Sequence, residues 1–428
     1  MIFRNAEKKI VTAPQGSDPL SGERLSLLIE YLKLPKKGLA AVEILGESGK
    51  SSCAAMLSHA LCARGYRVGT LSTPFSHTVR ECIALNGQPI SMDEFTHCVS
   101  RVTEAVTDIE RTLTALPALS DEEKEELSGI EKRLHAYREK ADTFSLFADE
   151  LLLSAALCCF SENGCHLALI EIPNGERMGA YRLPLPILIS AITTTVTPSV
   201  SKAICNRLDR QTREIVSAVQ EREIARMISD RSAKINCRLT VPLKNQFYIA
   251  DLNLSRSVVY YKTVRYELNS GAFYQAGNVL LILELLSALK RQGLAVDPEA
   301  ADLQPLFGTI GLPLQFSFLS CCPNILTDCA DTAARRETLA ESLSYHKDAI
   351  HAPITLVCED LDADDDQLRH PFEKRDLAVC EIKRVHRETA MRDMKPIAKA
   401  LRPDDTLVIL GTRAFVYEAH RALLGLLP

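Results

Sequence analysis

The chain has 428 residues, 46% hydrophobic and 25% charged, an ordinary globular composition in a length that one hydrophobic core rarely organises. Its 50 basic and 55 acidic side chains leave a formal charge of -5, so no broad cationic surface is available and nucleic acid is not expected as a partner. No apolar run reaches the roughly 18 residues that a membrane span needs, and Met1 to Lys9 has no apolar signal core, so the expectation is a cytoplasmic protein with no membrane partner.

Leu25, Leu28, Ile29 and Leu32 fall on one helical face, which predicts a helix over 21–34 that stops at Pro35. Residues 39–45 are apolar, short and bounded by Gly38 and Gly46, the pattern of a buried strand. A helix over 51–64 follows, closed by Gly65, and 66–72 read as another strand. This strand, loop, helix, strand order is that of a parallel α/β sheet.

Residues 121–140 are dense in Glu, Lys and Arg, with Leu127, Ile130 and Leu134 at helical spacing, and predict an amphipathic helical insertion. An apolar helix is expected over 144–160, buried strands over 166–172 and 188–194, and a charged surface helix over 213–233. Two strands, 247–254 and 258–268, precede a leucine-rich helix over 275–290. The Gly- and Pro-rich stretch 292–313 reads as a boundary between a domain of residues 1–308 and a smaller Rossmann-like domain of 309–428. In the latter, helices are expected over 333–344 and 414–424, and strands over 354–358, 377–385 and 406–410.

No repeat of fixed period occurs. The acidic stretch 359–366 lacks the glycine and distal glutamate of a calcium loop and reads as a solvated loop. The 14 cysteines include no CxxC pair, and Cys158, Cys159 and Cys165 lie in or beside apolar segments, as reduced core residues do.

Between the first strand and its helix lies GESGKSS: Gly46, Glu47, Ser48, Gly49, Lys50, Ser51 and Ser52. A glycine loop at a helix N-terminus offers unpaired N–H groups and a favourable dipole to an anion. Lys50 would reach the β and γ phosphates, and Ser51 or Ser52 would offer a hydroxyl to magnesium. The common P-loop has four residues between its glycines and this one has two, with Ile44 in the place of the earlier glycine. A glycine-rich turn with a chance lysine is the bland alternative, which the flanking strand and helix disfavour.

The loop resembles that of the folylpolyglutamate synthase and dihydrofolate synthase family, a branch of the Mur ligases whose short P-loop reads GTNGKGS. The resemblance runs from ILGESGKSSCAAMLSHALCARGYRVGTLSTPF into RECIALNGQPISMDEF, where the family has GYRVGLYTSPHL and RERIRINGQPIS. Thr73 stands on the family's magnesium-binding serine, beside Ser72 and Pro74, and Phe75 replaces a histidine. EIPNGERM aligns with EVGLGGR and puts Glu171 on the magnesium-binding glutamate and Arg177 on the arginine. A carboxylate at the end of a buried strand beside a phosphate loop is also what a metal requires on chemical grounds. GAFYQAGN resembles the family's amide motif, keeping Gln275 and Asn278 with Tyr274 in place of histidine. These amides share one helix face, turned either to a base edge or to water.

Other positions depart from the family. ITTTVTPS puts Pro198 on an aspartate and Ser199 on the histidine of the second magnesium site. The shortened segment SKAICNRLDRQTREIVSA carries no lysine that aligns with the family's carbamylated one, and PGR becomes Pro313, Leu314 and Gln315. DGAHN becomes Asp328, Cys329, Ala330, Asp331 and Thr332, which keeps the aspartate and loses the histidine.

The resemblance implies an α/β fold, a P-loop-containing Mur-ligase-like central domain with a parallel sheet plus a smaller Rossmann-like C-terminal domain. It implies ATP and Mg2+ as cofactors and an ATP-dependent ligase that joins a carboxylic acid, folate-like or other, to an amino acid through an acyl phosphate. Lys50 and Glu171 would be catalytic, and Ser52, Thr73 and Glu171 would hold the metal. Gly46 to Ser52, Gln275, Asn278 and Asp328 would bind ATP in a monomer. Because losing one charge-neutralising group typically costs on the order of a hundredfold in phosphoryl transfer, two alternatives stay open. One is an ATP-binding paralogue without turnover that acts through a partner, with the charged insertion as its docking face. The other is a P-loop ATPase whose hydrolysis moves two domains.

Overall fold

The apolar run after Gly38 forms a strand at the heart of an eight-stranded sheet. The computed structural model describes the chain except residues 35–37, 74–76, 117–126, 128, 301–302, 304, 313, 351–352, 361–362 and 425–428. Its first sheet comprises β1 (Ala40–Leu45), β2 (Val68–Leu71), β3 (Ile83–Leu85), β4 (Gln88–Pro89), β5 (Leu167–Glu171), β6 (Ile187–Ile192), β7 (Glu214–Ser217) and β8 (Arg238–Thr240). The order is β4-β3-β2-β5-β1-β6-β7-β8, parallel from β2 to β8 with an antiparallel hairpin at the β3 edge. β5 and β6 are buried along their whole length, which is why they read as unbroken apolar runs.

Helices cover both faces. The Lys50–Cys62 and Phe273–Arg291 helices pack on one, and the Phe3–Thr12, Ser21–Tyr31, Met92–Ala115 and Ala148–Glu162 helices pack on the other. The strand-helix-strand unit at the start of the chain is present, but β5 lies between β1 and β2.

A second sheet, β9 (Phe247–Leu252), β10 (Ser257–Tyr261) and β11 (Val264–Leu268), is an antiparallel meander. The stretch 258–268, expected as one strand, is therefore a hairpin. Lys262 and Thr263 turn it with φ of 49° and 69°, angles that the usual turn signals, Asn and Gly, do not announce here.

The third sheet contains β12 (Ser317–Cys321), β13 (Asn324–Asp328), β14 (Ile354–Glu359), β15 (Val379–Val385) and β16 (Thr406–Leu410) in the order β12-β13-β16-β14-β15. All pairs are parallel except β12 with β13. Helices Ala333–Ser344, Asp365–Glu373, Ala390–Lys399 and Arg413–Leu424 accompany these strands.

Three further expectations are corrected. The charged segment 213–233 is not one helix: β7 occupies its start, fully buried, and a helix runs over Arg222–Lys234. Glu214 is tolerated inside because Thr240 donates to it at 3.0 Å and Arg291 and Arg238 pair with it. The acidic stretch 359–366 is only partly a loop. Glu359 ends β14, Asp364 caps the next helix by accepting from the Gln367 N–H at 2.8 Å, and Asp365 and Asp366 occupy its first turn. Of the expected insertion 121–140, Gly129–Arg138 is helical and Leu127 is not, while 121–126 and 128 lie outside the described residues. That helix packs on Ser21–Tyr31, with Arg133 donating to Ser26 Oγ at 3.0 Å and Leu134 and Tyr137 buried. The cysteines are unpaired, Cys158, Cys159 and Cys165 are buried, and no described helix is long and apolar enough to cross a membrane.

Candidate functional site

The loop after β1 turns where only glycine fits. Gly46 has φ +124° and Gly49 φ +89°. An added Cβ would stand 2.2 Å from Thr193 Oγ1 at Gly46 and 2.6 Å from Asn278 Oδ1 at Gly49. The N–H groups of Glu47 and Ser48 donate to Thr194 O at 3.0 and 3.1 Å. The Glu47 carboxylate accepts from the N–H groups of Val196 and Thr197 at 2.6 and 3.0 Å. Glu47 is thus a brace against the chain leaving β6, and neither it nor Gly46 lines the cleft that Ser48, Gly49, Lys50, Ser51 and Ser52 face.

Lys50 folds back over the loop and donates to Gly46 O, which also accepts from Asn174 Nδ2 at 3.0 Å. Burial pushes its amine down to about 8 while the Glu171 carboxylate pulls the other way.

Glu171 ends β5 opposite Ile44, the penultimate residue of β1, and is fully buried. Burial raises its carboxyl, against hydrogen bonding from Ser72 and Ser51 and the charges of Lys50 and Arg413. Its Oε2 accepts from Ser51 Oγ at 3.0 Å, and its Oε1 has no hydrogen-bond partner among the described residues. A desolvated carboxylate with one orphaned oxygen and a hydroxyl alongside fits a hard divalent cation, which takes oxygen ligands. Thr73 lines the same cleft, whereas Pro74 and Phe75 lie outside the described residues.

Of the two loop serines, it is Ser51 whose hydroxyl lies against Glu171, whereas Ser52, the one expected at a metal, is turned to other partners. Ser52 is buried, donates to Gln315 Oε1 and accepts from Gln275 Nε2 at 3.1 Å, because one residue of helix rotation turns it away from Glu171. Gln275 is fully buried as well, and its Oε1 accepts from Asn278 Nδ2 at 2.9 Å. The two amides brace the loop. Gln275 has no edge left for a base, and Asn278 alone reaches the cleft.

Asp328, at the end of β13, also lines the cleft, and its Oδ2 accepts from Tyr274 OH at 2.7 Å and from the Phe316 N–H at 2.8 Å. Burial holds its carboxyl at about 6. Arg177 lines the cleft too but forks onto Asp149, with both contacts at 2.6 Å.

The cleft, about 300 Å³, lies between the first and third sheets. Among the described residues that line it, the cations besides Lys50 and Arg177 are Arg335 and Arg413, which the sequence reading missed. Arg335 stands in the first turn of the Ala333–Ser344 helix and pairs with Asp331 at 2.8 Å; Arg413 opens the Arg413–Leu424 helix. Their sequence surroundings look like ordinary charged helix starts, so no local signal marked them.

No family model matches the chain. A dihydrofolate synthase/folylpolyglutamate synthase of Bacillus subtilis is 35% identical over 89 residues, which is 21% of this chain and 21% of that protein. An apo structure of the L. casei folylpolyglutamate synthase covers 99% of this chain and 100% of its own at a TM-score of 0.78 and 17% identity. The chain has the fold of the folylpolyglutamate synthases. A structure of such a synthase in complex with AMPPCP and folate covers the same shares at a TM-score of 0.77 and 18% identity. The sequence match spans about a fifth of the B. subtilis relative's length, while the folylpolyglutamate synthase fold extends over the whole chain.

On that fold the departures acquire positions. Pro198 opens the Pro198–Arg207 helix and Ser199 beside it is exposed. Pro313 lies outside the described residues, and Gln315 carries an amide where the family has an arginine. Among the described residues lining the cleft, no histidine occurs and Lys50 is the one lysine.

Proposed function

We propose that the chain is an ATP-dependent carboxylate-amine ligase of the folylpolyglutamate synthase type, with residues 1–308 as its ATP-binding part and 309–428 as its second domain. The observation that carries this reading is the convergence of Lys50, Ser51, Thr73 and Glu171 on one cleft that both parts line. The synthase bound to AMPPCP and folate supports a nucleotide and a folate-like acid as substrates here. The synthase names of the relatives favour turnover over an inert ATP binder.

The loop N–H groups from Gly49 to Ser51 and the positive end of the Lys50–Cys62 helix would hold the phosphate chain. The Lys50 amine, bonded to Gly46 O in the structure, would turn to the β and γ phosphates. Glu171, Ser51 and Thr73 would hold Mg2+, which when bound neutralises charge on the phosphates. The acid's carboxylate oxygen attacks the γ phosphorus and ADP leaves. The amine of an amino acid then attacks the acyl carbon of the acyl phosphate, inorganic phosphate departs, and an amide and a proton result. A cleft enclosed between the two parts would keep water from the acyl phosphate.

The test is phosphate release with magnesium and ATP across folate-like and other acids with amino acids, beside Lys50→Ala. Release that depends on the acid and vanishes in the variant is expected. ATP binding with no acid-dependent release from any acid tested would sink the ligase.

A further inference from the structure

We propose that Arg335 and Arg413 clamp the terminal phosphates of the nucleotide, supplying from the second domain charge neutralisation that replaces cations and metal ligands missing from both domains. The inference rests on the ligase reading and names residues that the resemblance does not supply.

Four positions where the family carries a metal ligand or a cation hold none here. Ser199 is exposed, no lysine aligns in the segment after it, Gln315 is engaged with Ser52 and Gln275, and Asp331 is an acid. A triphosphate entering the cleft meets the buried carboxylates Glu171 and Asp328. Lys50 alone leaves that balance strongly negative. Arg177 is committed to Asp149 through both of its outer contacts, at 2.6 Å. Among the described residues of the lining, the other cations are Arg335, paired with Asp331, and Arg413.

Both stand at the N-terminal ends of helices, so the helix dipoles add to their charge at the same mouth. Arg335 Nη1 contacts Asp331 Oδ1 at 2.8 Å and Cys329 O at 3.5 Å, which anchors one edge of the guanidinium. Five N–H donors in a planar fork leave the other edge for phosphate oxygens. Their fields already reach the loop: the charge of Arg335 helps depress the Lys50 amine, and that of Arg413 helps offset the rise at Glu171. Because both side chains belong to the second domain, nucleotide bound this way would tie the two halves of the cleft together.

The test is binding of ATP, ADP and AMP, by titration calorimetry, to the full chain and to Arg335→Ala, Arg413→Ala, Arg335→Lys and Arg413→Lys, with phosphate release and melting temperature measured alongside. Each alanine variant should bind ATP about tenfold or more weakly and AMP as the parent does, with phosphate release down on the order of a hundredfold. The lysine variants keep the charge and lose the fork, so they should fall between. They also decide the matter if an alanine variant melts early. Unchanged ATP affinity and release in all four, with Lys50→Ala still losing ATP, overturns the clamp and leaves the nucleotide reading standing. A parent chain that binds no ATP overturns that reading and the clamp together.

Discussion

Gln275 Nε2 donates to Gln315 Oε1 at 3.1 Å, joining the Phe273–Arg291 helix to the segment that enters β12. The same oxygen accepts from Ser52, and Asn278 extends the chain by donating to Gln275 Oε1 at 2.9 Å. A line of amides thus runs from the phosphate loop to the third sheet. Gln315→Ala removes the shared acceptor and strands Ser52 Oγ and the Gln275 amide, which should destabilise the chain by about 1–3 kcal/mol. Urea unfolding measures it, and a loss within experimental error would show the line to be incidental.

Ser51 and Ser52 are adjacent but point to different tasks. Ser51 Oγ sits 3.0 Å from Glu171 Oε2, whereas Ser52 is committed to the amide line. Ser51→Ala should raise the magnesium concentration needed for half-maximal ATP binding several-fold and leave the melting temperature nearly unchanged. Ser52→Ala should leave the magnesium requirement alone and cost about 1 kcal/mol in unfolding. The reverse pattern would return the metal to Ser52.

The α/β alternation is legible because strands covered on both faces become apolar runs, as at 39–45, 166–172 and 406–410. β7 escapes that rule, since the partner that permits Glu214 inside, Arg291, is 77 residues away in the chain. The 24-residue helix Met92–Ala115 carries a visible cap: Ser91 Oγ accepts from the Glu94 N–H at 3.1 Å and Glu94 returns a bond to the Ser91 N–H at 2.9 Å. Reading SMDEF only as part of a family motif hid it. In the site, Gly46, Gly49 and Lys50 are local and readable. Which of two serines faces Glu171 depends on helix phase, and Arg335 and Arg413 become part of the cleft only once two distant sheets are built.

Away from the cleft, Arg24 is 4% exposed and forks twice. It meets Glu150 at 3.1 and 2.9 Å and Asp18 at 3.1 Å through each of two nitrogens. Glu150 is fully buried and also accepts from the Phe147 N–H at 2.9 Å, capping the Ala148–Glu162 helix. Arg24→Ala leaves that carboxylate charged without its partner and should cost about 3–5 kcal/mol. Arg24→Met combined with Glu150→Gln should cost less than Arg24→Ala alone, because no buried charge is stranded. Chemical denaturation of both decides it; a double variant weaker than the single one would mean that shape, not charge, governs the site.

Asp328 gives the chain a pH signature. Burial lifts its carboxyl from 3.8 to about 6, with the Tyr274 hydroxyl and the Phe316 N–H opposing the rise. The folded chain therefore keeps a proton between those values that the unfolded chain releases. The group's stabilising contribution is full below 3.8 and is lost as pH rises through about 6. Asp328→Asn keeps an oxygen for both donors and cannot ionise. Its unfolding free energy relative to the parent should climb by about 2 kcal/mol between about pH 4 and pH 7. Urea unfolding of both proteins across that range tests this, and a difference that stays flat would mean Asp328 is ionised at both ends.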